Sequence, residues 1–263
     1  MIFNTEKLWP EIAEIVESNP LFSKLPTNLL SVSSDSKTVK GEKIGILTGI
    51  LYLSPANTCS PYWTMCPYAK IAQCDEACLN TAGRGKFSNV QRARIRKTLM
   101  YKQYKHEFMA LLVRDIQKLQ RKADRMGLIP AVRLNGTQDV QWEYQSSYAI
   151  DRKKLFEIFP DVQFYDYSKI PNRKVPENYH LTFSYSGISE FQPVVQKQLN
   201  SNPTTNLAVV FDGTLPANFL GRPVVNGDDS DVRFYDKPGV IVGLTAKGNA
   251  KKDHSGFVVR SAL

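Results

Sequence analysis

The chain has 263 residues, 42% hydrophobic and 11% aromatic, with 22% charged; that composition excludes global disorder and allows one large α/β domain or two small ones. Lys and Arg outnumber Asp and Glu by 34 to 25, a net charge of +9 that favours an acidic partner such as nucleic acid or another polyanion. No apolar run approaches the roughly 20 residues of a membrane span, and the opening Met-Ile-Phe-Asn-Thr-Glu is not a secretory signal, so a cytoplasmic protein with no membrane partner is expected.

Residues 5–18 read as an amphipathic helix, with Leu8, Ile12, Ile15 and Val16 on one face and Thr5 as its cap. The polar stretch 31–43 reads as a connector, so residues 1–43 form an N-terminal helix and connector ahead of one folded unit over 44–263. Ile44 to Leu53 has the β-branched and small residues of a buried strand. From Ser88 onward comes the longest helical signal. Ser88 to Gln91 fits a capping box, Phe108, Leu112, Ile116, Leu119, Ala123 and Met126 recur at spacings of three and four, and Gly127 and Pro130 supply the stop. One long basic helix, or two joined near Tyr101, is expected.

Short buried strands follow at 131–134, 162–165, 180–183, 207–211 and 240–244, with helical stretches near 151–159 and 188–200 between some of them. The alternation predicts a single α/β domain of repeated βα units, either barrel-like or an open parallel sheet. Ligand sites in such folds are built from loops at the C-terminal strand ends. Here those loops carry Asn135, Gly136, Thr137 and Asp139, then Asp166, Tyr167, Ser168 and Lys169, then Ser184 and Tyr185, then Asp212 and Gly213, and finally Thr245 and Lys247. Singly each is an ordinary polar loop residue; together they outline a rim. Asn135, Asp139, Asp166 and Lys247 are the candidate pocket residues.

All four cysteines fall directly after the first core strand, spaced Cys59-x6-Cys66-x7-Cys74-x3-Cys78, with Pro61 and Pro67 to shape the loop and Tyr62, Trp63 and Tyr68 to screen it from water. Cysteines crowded into one segment of a reducing compartment read as metal ligands before disulfides. No histidine is near, and four soft ligands suit zinc or an iron–sulfur cluster. Structural zinc favours two Cys-x2–4-Cys knuckles, and only Cys74-x3-Cys78 resembles one. The wider gaps fit a 4Fe-4S cubane better, because its iron corners lie apart. A cysteine loop leaving the first strand of a βα barrel is also where radical S-adenosylmethionine enzymes keep their cluster. Their Cys-x3-Cys-x2-Cys pattern is absent, and four bound cysteines would leave no iron open, which argues for a structural, electron-transfer or sensing role with a redox partner.

The segments Ala77 to Phe87, Val90 to Thr98, Pro130 to Thr137, Phe164 to Tyr167, Asn178 to Ser184, Val240 to Gly248 and Ser255 to Val259 resemble the bacteriophage gene-product-88 family over roughly residues 45–260. The resemblance implies a protein made in the cytoplasm of an infected host cell. It carries over no catalytic residue, since the family is named for a gene and not an activity.

Residues 84–125 hold thirteen basic side chains against Glu107, Asp115 and Asp124, so the positive charge is concentrated there. Lys86, Arg92, Arg94, Arg96 and Lys97 are the candidate phosphate contacts, and Arg84 is a candidate neighbour of the thiolates. A zinc-stabilised nucleic-acid-binding protein is therefore the alternative to the iron–sulfur reading, and a divergent radical S-adenosylmethionine-like enzyme a further one. Asp253-His254 reads as a surface pair and Asp228-Asp229-Ser-Asp231 as an exposed turn; no serine-hydrolase elbow, zincin helix or Walker loop occurs.

Overall fold

The computed structural model describes residues 2–33, 36–147 and 151–260. Its centre is a run of parallel strands, β2 (Ile46–Leu51), β3 (Ile129–Arg133), β4 (Gln163–Ser168), β5 (Tyr179–Ser184), β6 (Leu207–Asp212) and β9 (Ile241–Thr245). Each strand in this run lies beside its predecessor. The expected strands are all present. Their register is set by side chains buried on both faces: every residue of β2 is buried, as are most of β4 and β6.

An antiparallel edge strand, β1 (Leu30–Val32), pairs with β2 through Leu30–Leu51 and Val32–Gly49. At the other edge a hairpin of β7 (Asn218–Phe219) and β8 (Arg222–Asn226) joins β9 through β8, while β10 (Val259–Arg260) runs parallel to the end of β6. The edges β1 and β7 do not meet, so the sheet is open and the barrel-like alternative is corrected. The βα repeat is also less regular than expected. Among the described residues, helices fill three of the five crossings between consecutive parallel strands: α3 (Ser88–Gln103) with α4 (Lys105–Met126), α5 (Leu155–Ile158), and α6 (Gln192–Ser201). The β4–β5 crossing is a loop, and the β6–β9 crossing is the hairpin with its flanking loops.

Because side chains alternate along a strand, the sheet has two differently covered faces. Leu47, Leu51, Val132 and Phe164 pack with Leu99, Phe108, Leu112, Ile116 and Leu119 of α3 and α4. On the opposite face Ile46, Ala131 and Tyr165 meet Val232 and Phe234, so the chain after β8 covers that face. Trp142 is fully buried in the larger core, stacked on Phe108 with ring centroids 6.4 Å apart.

Several local expectations change. The first helix, α1 (Pro10–Ser18), starts with proline and not with a Thr5 cap; the Thr5 hydroxyl donates to Glu17 instead. The stretch after residue 30 contains β1 and α2 (Ser36–Glu42), so it is more than a connector, and Ser34 and Asp35 lie outside the described residues. The N-terminal residues Phe3, Leu8, Val16, Phe22 and Leu29 share the main core with α3 and α4. The Ser88 capping box does not form, because the Gln91 amide is drawn back to the carbonyls of Asn80 and Gly85. The long helical signal is two helices broken at Tyr104, whose hydroxyl donates to Ile2 and whose ring packs edge-on to Phe3. Gly127 ends α4 in the left-handed conformation (φ 64°), with Leu128 N–H returning to Ala123, as the sequence suggested. Pro130 is the second residue of β3. No helix among the described residues is long and apolar enough to cross a membrane.

The edge strand is tied down by one carboxylate. Asp115 of α4 is buried and accepts the Leu29 N–H at 2.6 Å. Replacing it with Ala leaves that donor unpaired in the core, so Asp115→Ala should cost about 2–3 kcal/mol of stability, measured as a fall in the urea midpoint. An unchanged midpoint would show that β pairing and the other contacts to the 24–33 segment hold the edge without it.

Candidate metal centre

The parallel register brings the loops after each strand to one end of the sheet, and the segment after β2 folds over that end. Turns at Ala56 (φ 44°) and Gln73 (φ 48°) reverse it, and Met65 N–H bonds Ala56 at 2.7 Å. The segment is fixed to the scaffold at two distant points: Asp139 N–H donates to Met65 at 2.9 Å, and the Ser186 hydroxyl donates to Ala72 at 2.9 Å. After β3 the chain crosses so close to the end of β2 that a Cβ on Gly136 would lie 2.6 Å from the Tyr52 ring and 2.7 Å from the Leu51 carbonyl.

Beneath this segment is a cavity of about 200 Å³ whose lining includes Cys66, Cys74 and Cys78. Cys59 is not part of it. That thiol is 1% exposed in the main core, close to Ser54 and Thr58. The four predicted ligands thus divide into three at the cavity and one apart. Backbone N–H groups point at two of the three: Ala56 donates to the Cys66 sulfur at 3.1 Å and Asn80 to the Cys78 sulfur at 3.4 Å. Among the described residues, no group of three or more Cys, His, Asp or Glu side chains is gathered to hold a single metal ion.

Burial pushes every thiol towards its protonated form. Cys78 and Cys59 are raised to about 11, Cys66 well above the usual thiol range, and Cys74 upward as well. Two cations act the other way. Lys169 lowers Cys74, and Arg94 lowers Cys78. Arg94 is buried on α3, bonded to Asn80 and 5.1 Å over the Tyr52 ring. Lys169, from the loop after β4, is 7% exposed, and burial depresses its ammonium pKa while the three thiols and Asp139 raise it.

The pocket residues expected from the sequence separate in the same way. Asn135 lines the cavity but spends its side chain on Val140 and Trp142, shaping its own loop. Asp139 lines it and bonds Ser168 and the Lys169 N–H, both at 2.8 Å. Lys247 closes the rim in an ion pair with Asp228. Asp166 lies beneath the cavity and outside its lining, accepting from the Leu134 and Asn135 N–H groups and the Tyr179 hydroxyl. Arg84 is exposed and outside the lining; Arg94 and Lys169 occupy the role foreseen for it. Tyr62 is 74% exposed and does not screen the loop. Arg133, which sequence reasoning missed, lines the cavity floor and pairs with Asp231 at 2.7 Å; a charged residue inside a strand was its only signal. That pair takes Asp231 out of the exposed turn foreseen for it, and the Asp253 carboxylate accepts the Ser255 hydroxyl and the Val258 N–H. A larger open cleft of about 500 Å³ lies beside β5 and α6, lined by His180, Asn202 and Asp236, and contains no thiol.

Part of the basic stretch bonds other segments of the chain, while Arg84, Lys86, Lys102, Lys118, Arg121 and Arg125 are exposed. Arg96 donates to Lys24 and Leu25 carbonyls at 2.9 and 2.7 Å, Lys97 to Leu29 at 2.6 Å, Arg114 to Thr27, and Lys122 to the Ser33 hydroxyl at 3.1 Å. Burial lowers Lys97 to about 8. Of the five phosphate-contact candidates, Lys86 is exposed and Arg92 half-buried, while Arg94, Arg96 and Lys97 carry internal contacts.

Burial raises the Asp166 carboxyl to about 7, against the opposing pull of Arg133 and its hydrogen-bond donors. The folded chain therefore holds this proton more tightly than the unfolded chain does. Its contribution to stability is full below about pH 4 and is lost as pH rises towards about 7. Asp166→Asn should flatten that fall in urea midpoints measured across the same range; an identical slope in the variant would assign the titration to another group.

No curated protein and no solved structure matches this chain. A family model described as gene product 88 matches residues 27–261. That span takes in the edge strand, the cysteine segment, both long helices and the whole parallel sheet, and the chain belongs to the gene product 88 family.

Proposed function

We propose that this protein is an iron–sulfur protein that carries a 4Fe-4S cluster in the cavity at the C-terminal end of its parallel strands, held by Cys66, Cys74 and Cys78. The observation that carries the reading is the division of the cysteines: three thiols and a buried lysine face one cavity, and the fourth thiol is in the core. Three thiolates leave one iron of a cubane without a protein ligand. That iron would face the remaining cavity and its polar rim, so a small molecule could bind it directly.

This departs from the four-ligand expectation and shifts the weight from a closed structural or sensing cluster towards redox catalysis. The position after the first parallel strand, with one open iron, resembles that of radical S-adenosylmethionine enzymes, and reductive chemistry on a bound small molecule is the activity proposed. A lone zinc ion fits less well, because the thiols surround a space and do not converge on a point. Nucleic-acid binding by the basic helices has less support for a different reason: their best-placed cations already bond the 24–33 segment.

Protein purified without oxygen after expression with ample iron should be brown, with iron and acid-labile sulfide in equal amounts. Cys66→Ser, Cys74→Ser and Cys78→Ser should each lose most of that iron, and Cys59→Ser should keep it while losing some stability. A colourless protein holding one zinc overturns the reading. Iron loss in Cys59→Ser equal to the other three restores the four-ligand alternative.

A further inference from the structure

We propose that Lys169 and Arg94 are the counter-charges of the thiolate set, and that Lys169 in particular raises the reduction potential of the cluster; the inference rests on the reading given above. Lys169 Nζ directs its three protons at neutral acceptors, the Ser184 carbonyl at 3.2 Å, the Ser184 hydroxyl at 3.0 Å and the Tyr185 carbonyl at 3.1 Å. Its flanks are the rings of Phe191 and Phe257, 5.4 and 4.8 Å from the nitrogen. No carboxylate among the described residues pairs with it directly. Asp139, the carboxylate that acts on it, is shared with Arg173 at 3.7 Å, and Arg173 is itself held by Glu143 at 2.6 Å.

Arg94 is in the same position on the other side. It bonds the Asn80 side chain, whose backbone N–H points at the Cys78 sulfur, and no described carboxylate forms an ion pair with it. Two buried cations therefore stand beside the sulfurs, Lys169 acting on all three and Arg94 on Cys78, against the opposing carboxylates of Asp139 and Asp75 at the same cavity. A buried cation without a counter-ion is costly, and thiolates bound to a metal core supply one. Three thiolates on an oxidised cubane leave one net negative charge, and one-electron reduction adds a second. Each fixed positive charge at the site favours the more negative, reduced form, so removing one lowers the potential.

The test uses the full chain, reconstituted without oxygen and titrated with dithionite as the electron donor. Lys169→Met should hold iron and sulfide as the wild type does, with an equilibrium constant for one-electron reduction at least tenfold smaller, about 59 mV more negative. Lys169→Arg should stay close to the wild type. Equal potentials in wild type and Lys169→Met overturn the proposal. If Lys169→Met folds by circular dichroism but fails to hold the cluster, Arg94→Met carries the test: a fall in the same direction supports the counter-charge role, and an unchanged potential overturns it. Wild-type protein that binds no iron under these conditions removes the cluster reading itself and this inference with it, an outcome seen before any variant is made.

Discussion

Asp139 joins three separate loops at one point, and the cavity exists because of that junction. Its backbone N–H holds the cysteine segment at Met65, while its carboxylate holds the loop after β4 through Ser168 and the Lys169 N–H. The residue itself belongs to the loop after β3. Burial raises its carboxyl, and Arg173 together with those donors opposes the shift. Ser186 holds the far part of the cysteine segment at Ala72 and Trp9 its first part at Asn57 and Cys59, while Asp139 fixes its middle beside the thiols. Strand pairing brings the loops to one end of the sheet; the Asp139 contacts set their spacing.

The second organising feature is where the positive charge goes. A chain of net charge +9 invites a reading in terms of external polyanions, yet many of the cations on α3 and α4 reach other parts of the same chain. Arg96, Lys97 and Arg114 hold the segment before β1 and Lys122 the residue just after it, Arg94 and Lys169 stand beside thiols, and Arg133 and Arg173 neutralise buried carboxylates. Donating to backbone carbonyls is an effective use of long cationic side chains, since it satisfies acceptors at an edge strand and excludes water from the helix–sheet core beneath. Of the cations near the cavity, Arg133 and Lys247 have carboxylate partners, while Lys169 and Arg94 have none among the described residues and are the two beside the thiols.

Much of this was legible in the sequence. The strands announced themselves as short β-branched runs, the end of α4 as a periodic apolar stripe stopped by Gly127, and the rim as polar residues just past each strand. What failed did so for tertiary reasons. The Ser88 capping box lost Gln91 to the Asn80 and Gly85 carbonyls. The stretch after residue 30 looked like a connector because a three-residue edge strand has too short a pattern to stand out, and its partner β2 supplies the pairing. Asp166 looked like a pocket residue because it is polar near a strand end, but it lies within β4 and its carboxyl accepts from the Leu134 and Asn135 N–H groups and the Tyr179 hydroxyl.

The sequence by itself determined the parallel α/β character, the family, and the clustering of every cysteine behind the first core strand. Those properties depend on local periodicity, composition and spacing, which a linear reading contains. Only the tertiary structure decided that the sheet stays open, that Cys59 is in the core while Cys66, Cys74 and Cys78 share a cavity, and that Lys169 and Arg94 are the cations beside them. Those depend on which loop crosses which strand end, and contacts between residues 139 and 65 or 186 and 72 leave no mark in either local segment.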